Sequence, residues 1–435
     1  MFKQSQYNIT IATEKESTLL YNSFSGSLVK LNTKYTEVLN DIENYENNEA
    51  YKIILSDLNK QGLIIDPNVD ELALLQFNRN MGKYNKKSNV FQVTIAPTLK
   101  CNASCRYCFE STLKNITEMN LETADKIVEF IEKSISKEST KILILSWFGG
   151  EPLLRPDIIK YTAEKLIAFC NENDITYNHN ITTNGVLLNV DNIKLLKDIN
   201  INRVNITIDG MEEMHNFRRP LKNKDSSFKR IIENILLAVD ELPINIRVNL
   251  DQQNTQNVND LIKYVFNDLK LRNKVTMYFS PVENFNKISI PSCGVFDNPE
   301  EFSKAVGPLI NNLYEYGGRD AISNLIPHQT MFACGAEALN SYVIDPLGNL
   351  YKCWNVIGDE SEIIGDIYNG IKHTKNHLDW YLRKDRDECS MCKLLPVCHG
   401  GCVMKKKYKS TYSCFRDFST YRGILKLVFD CYQKL

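Results

Sequence analysis

The chain has 435 residues, 43% of them hydrophobic, which is enough for about two to four domains with sizeable cores. The 52 Lys and Arg residues nearly balance the 53 Asp and Glu residues, so no excess of basic charge points to nucleic acid or to an anionic membrane. The N-terminus lacks an apolar signal core and no stretch approaches bilayer length, so we expect a cytoplasmic protein without a membrane partner. In such a reducing compartment, 13 cysteines favour metal ligation over disulfides.

Residues 1–85 are predicted to form a small separate module. Two strand-like stretches, two helix-like stretches and a short apolar run follow one another at 7–12, 18–31, 33–42, 49–60 and 63–65. This order predicts a winged-helix-like fold. The segment is acidic and has no stripe of Lys or Arg, which argues against DNA binding. A structural cap on the next domain is the alternative interpretation.

A polar stretch at 78–88 is predicted to be a linker, and strand-like and helix-like segments alternate after it. The predicted strands are 90–97, 141–147, 177–183, 203–209, 244–250 and 275–280. The predicted helices are 121–134, 157–171, 190–198, 227–240 and 258–269. Six repeated β-α units predict an α/β fold with a parallel sheet and outer helices. Because ligands of such folds bind at the carboxyl ends of the strands, we expect the functional residues there.

The remaining chain is less regular. Residues 299–316 are predicted to form a bridging helix, and residues 415–432 a closing C-terminal helix. Between them, from Cys334 onward, cysteines become dense and periodic structure thins out. This composition predicts a cysteine-rich C-terminal domain.

The spacing C-x3-C-x2-C of Cys101, Cys105 and Cys108 directly follows the first predicted strand of the sheet. Thiolates are soft ligands that suit iron, and three of them can hold three corners of a four-iron, four-sulfur cluster. The fourth iron then has no protein ligand, so it can bind a substrate or cofactor and pass an electron to it. The sequence therefore predicts a catalytic iron–sulfur cluster on this loop.

Glycines and polar residues come at the ends of the later strands. Gly149, Gly150 and Glu151 follow the second strand, where glycines let the backbone approach a ligand and a carboxylate can accept from an ammonium group. Thr183 and Asn184 end the third strand and Asp209 ends the fourth, which makes them further candidate binding residues. Arg247 and Asn249 occupy alternate positions of the fifth strand, so we expect both side chains to face inward. His215, Arg218 and Arg219 follow the fourth strand. For each of these, a turn or a satisfied polar group is the alternative.

A second cysteine system occupies the C-terminal part of the chain. Its pattern is Cys334-x13-Gly348-x4-Cys353, then Cys389-x2-Cys392-x5-Cys398-x3-Cys402, then Cys414. Zinc is the main alternative for C-x2-C pairs. Seven thiols in such tight groups favour metal centres over scattered core cysteines.

These motifs together resemble the radical S-adenosylmethionine (radical SAM) enzymes. In that family an aromatic residue, here Tyr107, commonly precedes the third loop cysteine, and a Gly-Gly-Glu motif contacts the methionine moiety of SAM. The resemblance implies a partial (β/α)6 TIM-like barrel with SAM as cofactor. The polar strand-end residues resemble cofactor-contacting or substrate-contacting residues of the family.

The seven later cysteines resemble the SPASM domain of radical SAM peptide maturases, which implies two auxiliary [4Fe-4S] clusters, three in all. By that resemblance the second auxiliary cluster is held by Cys389, Cys392, Cys398 and Cys414. The first is held by Cys334, Cys353 and Cys402. Its fourth ligand stays open between Cys293, His328 and no protein residue at all.

The resemblance implies four segments: a leader-recognition module (1–85), the radical SAM barrel (86–290), a bridging region (291–330) and the auxiliary-cluster domain (331–435). It implies an enzyme that installs a thioether or carbon–carbon crosslink in a ribosomally made peptide, with a small flavodoxin or ferredoxin as electron donor. Oxidation of Ser or Cys in a protein partner is the alternative, although Trp354 stands where sulfatase-oxidising relatives carry an acid. An iron–sulfur electron carrier or zinc-stapled binding module, and a DNA-binding redox regulator, are the non-enzyme alternatives.

Overall fold

The computed structural model describes residues 1–14, 16–85, 88–113, 116–135, 139–283, 294–296, 298–322, 325, 327, 329–382, 384–407, 423, 425–427 and 429. The chain folds into two compact units. The first unit comprises Met1–Asn85, Leu325–Cys334 and Arg383–Leu435, and the second comprises Lys86–Asn324 and Gly335–Leu382. Among the described helices, none has the length and apolar character needed to span a bilayer.

The N-terminal segment of the first unit contains five strands and four helices. The strands are β1 (Lys3–Gln4), β2 (Asn8–Glu14), β3 (Ser17–Asn22), β4 (Leu28–Asn32) and β5 (Ile64–Ile65). The helices are α1 (Thr33–Asn40), α2 (Ile42–Tyr45), α3 (Lys52–Lys60) and α4 (Glu71–Tyr84). Strands β2, β3 and β4 form an antiparallel sheet, and β1 pairs with β5. The strand and helix pattern expected for residues 1–65 is thus present.

Helix α4 corrects the expectation of a linker at 78–88, since the helix continues to Tyr84. Its buried side carries Glu71, Leu75, Arg79 and Lys83, so three of its four inward residues are charged. Arg79 pairs with Asp385 of the same unit at 2.5 Å. The apolar periodicity that marks an ordinary surface helix is therefore missing from this segment.

The second unit is built on a large sheet with strands in the order β11-β10-β9-β8-β7-β6-β12-β13-β14-β15. Its first six strands in chain order are β6 (Val90–Ile95), β7 (Ile142–Trp147), β8 (Thr176–Thr183), β9 (Arg203–Thr207), β10 (Ile244–Leu250) and β11 (Val275–Pro281). Each of these strands pairs in parallel with the next one. Chain-adjacent parallel strands are the result expected from repeated β-α units.

Helices connect these strands: α5 (Leu121–Ser134), α6 (Pro156–Glu172), α7 (Val190–Asp198), α8 (Glu212–Arg218), α9 (Ser227–Ala238) and α10 (Thr255–Lys263), which runs on into a π-helical turn, Tyr264–Asp268. Asn120 caps α5 by accepting from the Thr123 N–H at 2.8 Å, as its sequence position predicts. One side of α5 buries Ala124, Ile127 and Ile131 completely. The second unit therefore has the α/β architecture expected from the sequence, with a large central sheet.

The rest of the second unit extends this sheet. After α11 (Pro299–Gly317) and α12 (Arg319–Ile322), strand β12 (Ser341–Ile344) pairs in parallel with β6. The short strands β13 (Asn349–Tyr351), β14 (Gly365–Asp366) and β15 (Gly370–Ile371) then add antiparallel, and α13 (Lys375–Leu378) follows. Helix α11 matches the predicted bridging helix.

The C-terminal part of the first unit contains α14 (Leu395–Cys398) and α15 (Val403–Lys407). Leu394 and Val397 share one apolar core with Ile9, Leu19 and Tyr21 of the N-terminal sheet. The N-terminal strands and the cysteine-rich segment thus bury apolar surface against each other within one unit. The expected helix at 415–432 lies mostly outside the described residues.

Candidate active site

The loop with Cys101, Cys105 and Cys108 leaves the carboxyl end of β6, and all three thiols are half-buried. Its backbone is tied to the segment that follows α8. The Ser104 N–H donates to the Pro220 carbonyl at 2.8 Å, and the Arg106 N–H donates to the Arg218 carbonyl at 3.0 Å. Main-chain hydrogen bonds therefore hold the predicted cluster loop at the strand edge where the sequence predicts the site.

The glycines after β7 are packed against this same loop. A Cβ at Gly149 would lie 2.4 Å from the Thr98 carbonyl oxygen, and a Cβ at Gly150 would lie 2.2 Å from the Lys100 carbonyl oxygen. Gly150 N–H donates to Thr98 O at 3.1 Å. We expected these glycines to let backbone approach a ligand, whereas the close approach seen here is to the first residues of the cysteine loop.

Glu151 is fully buried, and both of its carboxylate oxygens accept hydrogen bonds from the chain. Oε1 accepts from the Thr183 hydroxyl at 2.7 Å and from the Leu153 N–H at 3.0 Å, and Oε2 accepts from the Asn184 N–H at 2.7 Å. Burial raises the pKa of this carboxyl, and the three donors oppose that shift. Glu151 therefore joins the carboxyl end of β7 to that of β8.

Asn184 carries this connection to the cysteines. Its side-chain amide donates to Asn102 Oδ1 at 2.6 Å and lies 3.9 Å from the Cys101 sulfur. The Ala103 N–H also donates to that sulfur, at 3.4 Å. Two N–H groups thus point at one predicted ligand, an arrangement that tunes the electronic properties of cluster sulfurs.

Tyr107 anchors the other side of the loop. Its hydroxyl donates to the Asp209 carboxylate and accepts from Arg219 Nη1 at 2.5 Å and from Asn249 Nδ2 at 2.9 Å. Burial raises the pKa of Tyr107 well above its usual value, although the Arg219 charge opposes that shift. The phenol therefore stays protonated and joins the loop to the ends of β9 and β10.

Arg218, the last residue of α8, lies beneath this network and is 1% exposed. It pairs with Asp251, and its Nε lies 3.6 Å from Asp209 Oδ2. Its guanidinium carbon is 5.1 Å from the centre of the Tyr107 ring. Asp251 was missed in the sequence, because nothing local pairs it with a residue 33 positions earlier.

His215 is completely buried beside these groups, and its Nδ1 accepts from the Asp209 N–H at 3.2 Å. Burial, together with the neighbouring Arg219 charge, lowers its pKa to about 3. The imidazole is therefore neutral at physiological pH, and its Nδ1 supports the strand end, whereas Nε2 is buried with no hydrogen-bond partner among the described residues.

The three loop thiols fit the donor set of an iron–sulfur cluster. Burial is the largest cause that raises the pKa of Cys101 to about 11, of Cys108 to about 12, and of Cys105 in the same direction. Thiols of this kind stay protonated until a metal binds and displaces their protons. No three His, Cys, Asp or Glu side chains in the described ranges are close enough to hold a single metal ion. Cysteine ligands of a four-iron cluster each bind a different iron.

The remaining strand residue with a candidate role is Arg247 on β10. Its Nε donates to Asn249 Oδ1 at 2.9 Å, and its Nη2 donates to Ser280 Oγ at 3.1 Å. Arg247 is half-buried. Among the described residues, the side chain of Arg247 reaches the Tyr107 network only through Asn249, so it lies further from the cysteine loop than Asp209 or Asn249.

The C-terminal cysteines divide between the units. Cys389, Cys392, Cys398 and Cys402 are half-buried and, with the exposed Cys334, belong to the first unit, whereas Cys353 belongs to the second. Cys389 and Cys392 lie in one turn, closed by a hydrogen bond from Cys392 N–H to Cys389 O at 3.1 Å. Cys293, His328 and Cys414 lie outside the described residues.

Residues 95–265, which include the cysteine loop and the strand ends around it, match the family model of the radical SAM superfamily. The radical SAM cyclopropyl synthase TigE of Paramaledivibacter caminithermalis is 24% identical over 93% of this chain and 90% of that protein. The cysteine-type anaerobic sulfatase-maturating enzyme of Clostridium novyi is 26% identical over 71% of this chain and 86% of that protein.

Two solved structures share the fold. Native anSMEcpe with bound AdoMet and Cp18Cys peptide has a TM-score of 0.59 at 19% identity, covering 79% of this chain and 97% of that one. Streptococcus suis SuiB bound to precursor peptide SuiA has a TM-score of 0.50 at 16% identity, covering 97% of this chain and 100% of that one. The chain is therefore an enzyme with a radical SAM domain at residues 95–265, and over most of its length it is similar to radical SAM enzymes of the maturase type.

Proposed function

We propose that this enzyme modifies a ribosomally made peptide by installing a thioether or carbon–carbon crosslink. The observation that carries the proposal is the cysteine loop, which is fixed at the carboxyl edge of a parallel sheet by the Glu151–Asn184 connection and the Tyr107 network. Held in this way, Cys101, Cys105 and Cys108 would ligate three irons of a [4Fe-4S] cluster and leave the fourth iron for SAM.

A reduced cluster held by Cys101, Cys105 and Cys108 would supply the single electron for reductive cleavage of SAM, the chemistry that starts hydrogen abstraction from the substrate. The chain's own part is to position the reactants and exclude water. Tyr107 and Asp209 fix one side of the cysteine loop, and Gly149 and Gly150 brace the other. The sequence-based assignment of Thr183, Asn184 and Asn249 to cofactor contacts is part of this proposal.

The large sheet of the second unit would be the wall of a partial (β/α)6 barrel that encloses the reaction. Six chain-adjacent parallel strands with connecting helices support this arrangement. Enclosure matters because a primary carbon radical reacts with any C–H bond within reach.

Crosslink formation removes two hydrogens from the peptide: the first leaves as the abstracted hydrogen atom, and the second leaves as a proton released to water together with one further electron. Two auxiliary [4Fe-4S] clusters would accept it. We assign Cys389, Cys392, Cys398 and Cys414 to one of them, and Cys334, Cys353 and Cys402 to the other. A small flavodoxin or ferredoxin would supply the electron that starts each cycle.

The N-terminal segment of the first unit would be a winged-helix-like module that binds the leader of the precursor peptide. Three observations support it: the antiparallel β2–β4 sheet, the helices α1 and α3 that follow, and the short β1–β5 pair in the position of a wing. SuiB, which shares the fold over 97% of this chain, has been solved with its precursor peptide.

Co-expression of the enzyme with the short peptide genes that neighbour its own gene tests the proposal. The expected product is a peptide lighter by two hydrogens per crosslink, localised by tandem mass spectrometry. An unchanged peptide mass in the presence of an enzyme that cleaves SAM would contradict it.

Oxidation of a Cys or Ser in a protein partner is the second candidate, since the Clostridium novyi relative is a cysteine-type sulfatase-maturating enzyme. Trp354 follows Cys353 in this chain, where sulfatase-oxidising relatives tend to carry an acid. An aldehyde that reacts with a hydrazide probe would support this candidate and count against a crosslink.

A further inference from the structure

The two faces of the six parallel strands differ in chemistry. On one face, residues such as Leu143, Leu145 and Ile206 are fully buried. On the other face, which we call the polar face, alternate positions carry amides and hydroxyls such as Asn180 and Asn205. A parallel sheet covered by helices on both faces has nearly continuous apolar strands. The alternation here indicates that the polar face meets water or a polar ligand.

The amides of the polar face are bonded to one another across strands. Asn245 Nδ2 donates to Asn205 Oδ1 at 3.0 Å, and the Thr276 hydroxyl donates to Asn245 Oδ1 at 2.7 Å. These contacts establish that β9, β10 and β11 turn the same polar face to one side, because residues two apart on a strand share a face.

Within the strands themselves, the charges on this face are all positive, and the nearest acid on β9 is Asp209, beyond the carboxyl end of the strand. Strands β6 to β11 contain no Asp or Glu, and their two charged residues, Arg203 and Arg247, occupy polar-face positions two residues before Asn205 and Asn249. Within the described part of the chain, no carboxylate lies within the 4.0 Å ion-pair distance of either guanidinium. Arg247 is therefore available to an anion, whereas Arg203 lies four residues before Thr207, the β9 residue that pairs with Arg247.

Arg247 is held in place without being neutralised. Of its five N–H groups, one on Nε bonds Asn249 Oδ1 and one on Nη2 bonds Ser280 Oγ, so three remain for a ligand. A guanidinium whose plane is fixed by neutral partners is well suited to bind a carboxylate through two parallel hydrogen bonds.

The position of Arg247 along its strand separates it from the cysteine loop. Asn249 reaches the Tyr107 hydroxyl and so marks the level of the loop. Arg247 lies two residues earlier on the same face, about 6.6 Å further from that edge of the sheet. The cation at the loop itself is Arg219, which bonds Tyr107 at 2.5 Å. Arg247 is thus placed for a group that lies deeper on the polar face than the loop.

We propose that Arg247 binds a carboxylate of the substrate, and so selects a peptide segment with an acidic group at the reacting position. This replaces the cofactor role expected for Arg247 from the sequence. It rests on the proposed peptide-modifying function and deepens it. The carboxylate comes from an Asp or Glu side chain or from the C-terminus of the peptide, which share the same recognition chemistry. Arg203, exposed at the amino end of β9, adds to the attraction for such a segment.

The test uses the full-length protein, reconstituted anaerobically with iron, sulfide and SAM. The ligands are three model peptides, all acetylated at the N-terminus. These are acetyl-Ala-Ala-Asp-Ala-Ala-amide, its Asn counterpart, and acetyl-pentaalanine with a free C-terminal carboxylate. Dissociation constants are measured by ligand-observed NMR for the unmodified enzyme and the Arg247→Gln and Arg247→Lys variants. Arg230→Gln is the matched control, since Arg230 is a half-exposed arginine on α9.

We expect at least one of the two acidic peptides to bind about tenfold or more tightly than the neutral Asn peptide. Whether the Asp peptide or the free acid is preferred identifies the source of the carboxylate. R247Q should abolish the preference, R247K should keep part of it, and R230Q should keep all of it.

Three results would overturn the inference: no binding of either acidic peptide, equal binding of acidic and neutral peptides, or a preference that survives in R247Q. A loss of SAM affinity in R247Q with the peptide preference intact would show that Arg247 binds the cofactor and not the peptide. Failure of the unmodified enzyme to release 5′-deoxyadenosine would instead contradict the proposed function, so the two failures are distinguishable.

Discussion

The two groups of cysteines in this chain are positioned by different forces. Cys101, Cys105 and Cys108 lie on one loop that is held by backbone carbonyls, amides and a buried charge network at the edge of a sheet. Cys389 and Cys392, by contrast, pack against the apolar cores of the first unit. Polar contacts of the first kind orient a site, whereas apolar contacts of the second kind mainly stabilise a fold.

Substituting one cysteine of each group should have the largest effect on catalysis and should separate the roles of the two groups. Cys105→Ala should lower SAM cleavage by more than about a hundredfold, because loss of even an outer-shell partner costs a metal site about ten- to a hundredfold. Cys389→Ala should spare part of the cleavage and lose modified peptide. Cleavage of SAM is measured as the formation of 5′-deoxyadenosine, by liquid chromatography coupled to mass spectrometry.

Cys170→Ala is the control for both, since Cys170 is a buried core thiol of α6 outside either group. Equal loss of cleavage in Cys105→Ala and Cys389→Ala would contradict the distinction between the two groups.

Gly150→Ala should have the next largest effect on SAM cleavage. Its Cβ would lie 2.2 Å from the Lys100 carbonyl oxygen, a contact that backbone can relieve only by shifting the cysteine loop. We expect about a tenfold or greater loss of SAM cleavage, together with lower iron content after reconstitution. Gly307→Ala is the matched control, because nothing lies within 4 Å of the corresponding Cβ in α11. An active Gly150→Ala variant with full iron content would show that the loop does not need this brace.

Tyr107→Phe should have a smaller effect. The substitution removes one hydroxyl that serves Asp209, Arg219 and Asn249, which leaves buried polar groups short of a partner at a cost of about 1–3 kcal/mol in unfolding free energy. Urea unfolding and the SAM cleavage rate should both register it. Tyr161→Phe, which removes one hydrogen bond to the half-exposed Asp125, should be nearly neutral. Equal stabilities of the two variants would refute the anchoring role of Tyr107.

The smallest expected effect is a dependence of the free energy of unfolding on pH, caused by His215. The pKa of His215 is about 3 in the folded protein and about 6.5 in an unfolded chain. Between pH 3 and pH 6.5, the imidazole is therefore protonated in the unfolded state and neutral in the folded state. Stability from this residue should therefore fall as the pH decreases from about 6.5, by up to about 1.4 kcal/mol per pH unit. The urea midpoint at pH 7 and pH 5 should change less in His215→Gln than in the unmodified protein or in a variant of the exposed His373. An unchanged slope in His215→Gln would disprove this origin.

Much of the site follows from local sequence. Five of the six parallel strands alternate apolar and polar residues, and β7 is apolar from Ile142 to Leu145, so the positions and ends of the strands can be predicted within a few residues. The motifs that follow the strands necessarily share one edge of the sheet. Helix α4 could not be predicted in this way, because its buried side is mostly charged. The pairing of Arg218 with Asp251 was equally hidden, since only the folded backbone brings the ends of α8 and β10 together.

Whether the loop cysteines hold a cluster with an open iron can be read from an electron paramagnetic resonance spectrum. The sample is the reduced, anaerobically reconstituted Cys389→Ala/Cys392→Ala double variant, recorded with and without SAM. If the loop cysteines hold a cluster with an open iron, a [4Fe-4S]⁺ signal should persist in this variant, change shape when SAM binds, and accompany the release of 5′-deoxyadenosine. A signal that SAM leaves unaltered, with no 5′-deoxyadenosine formed by this variant or by the unmodified enzyme, would contradict the account.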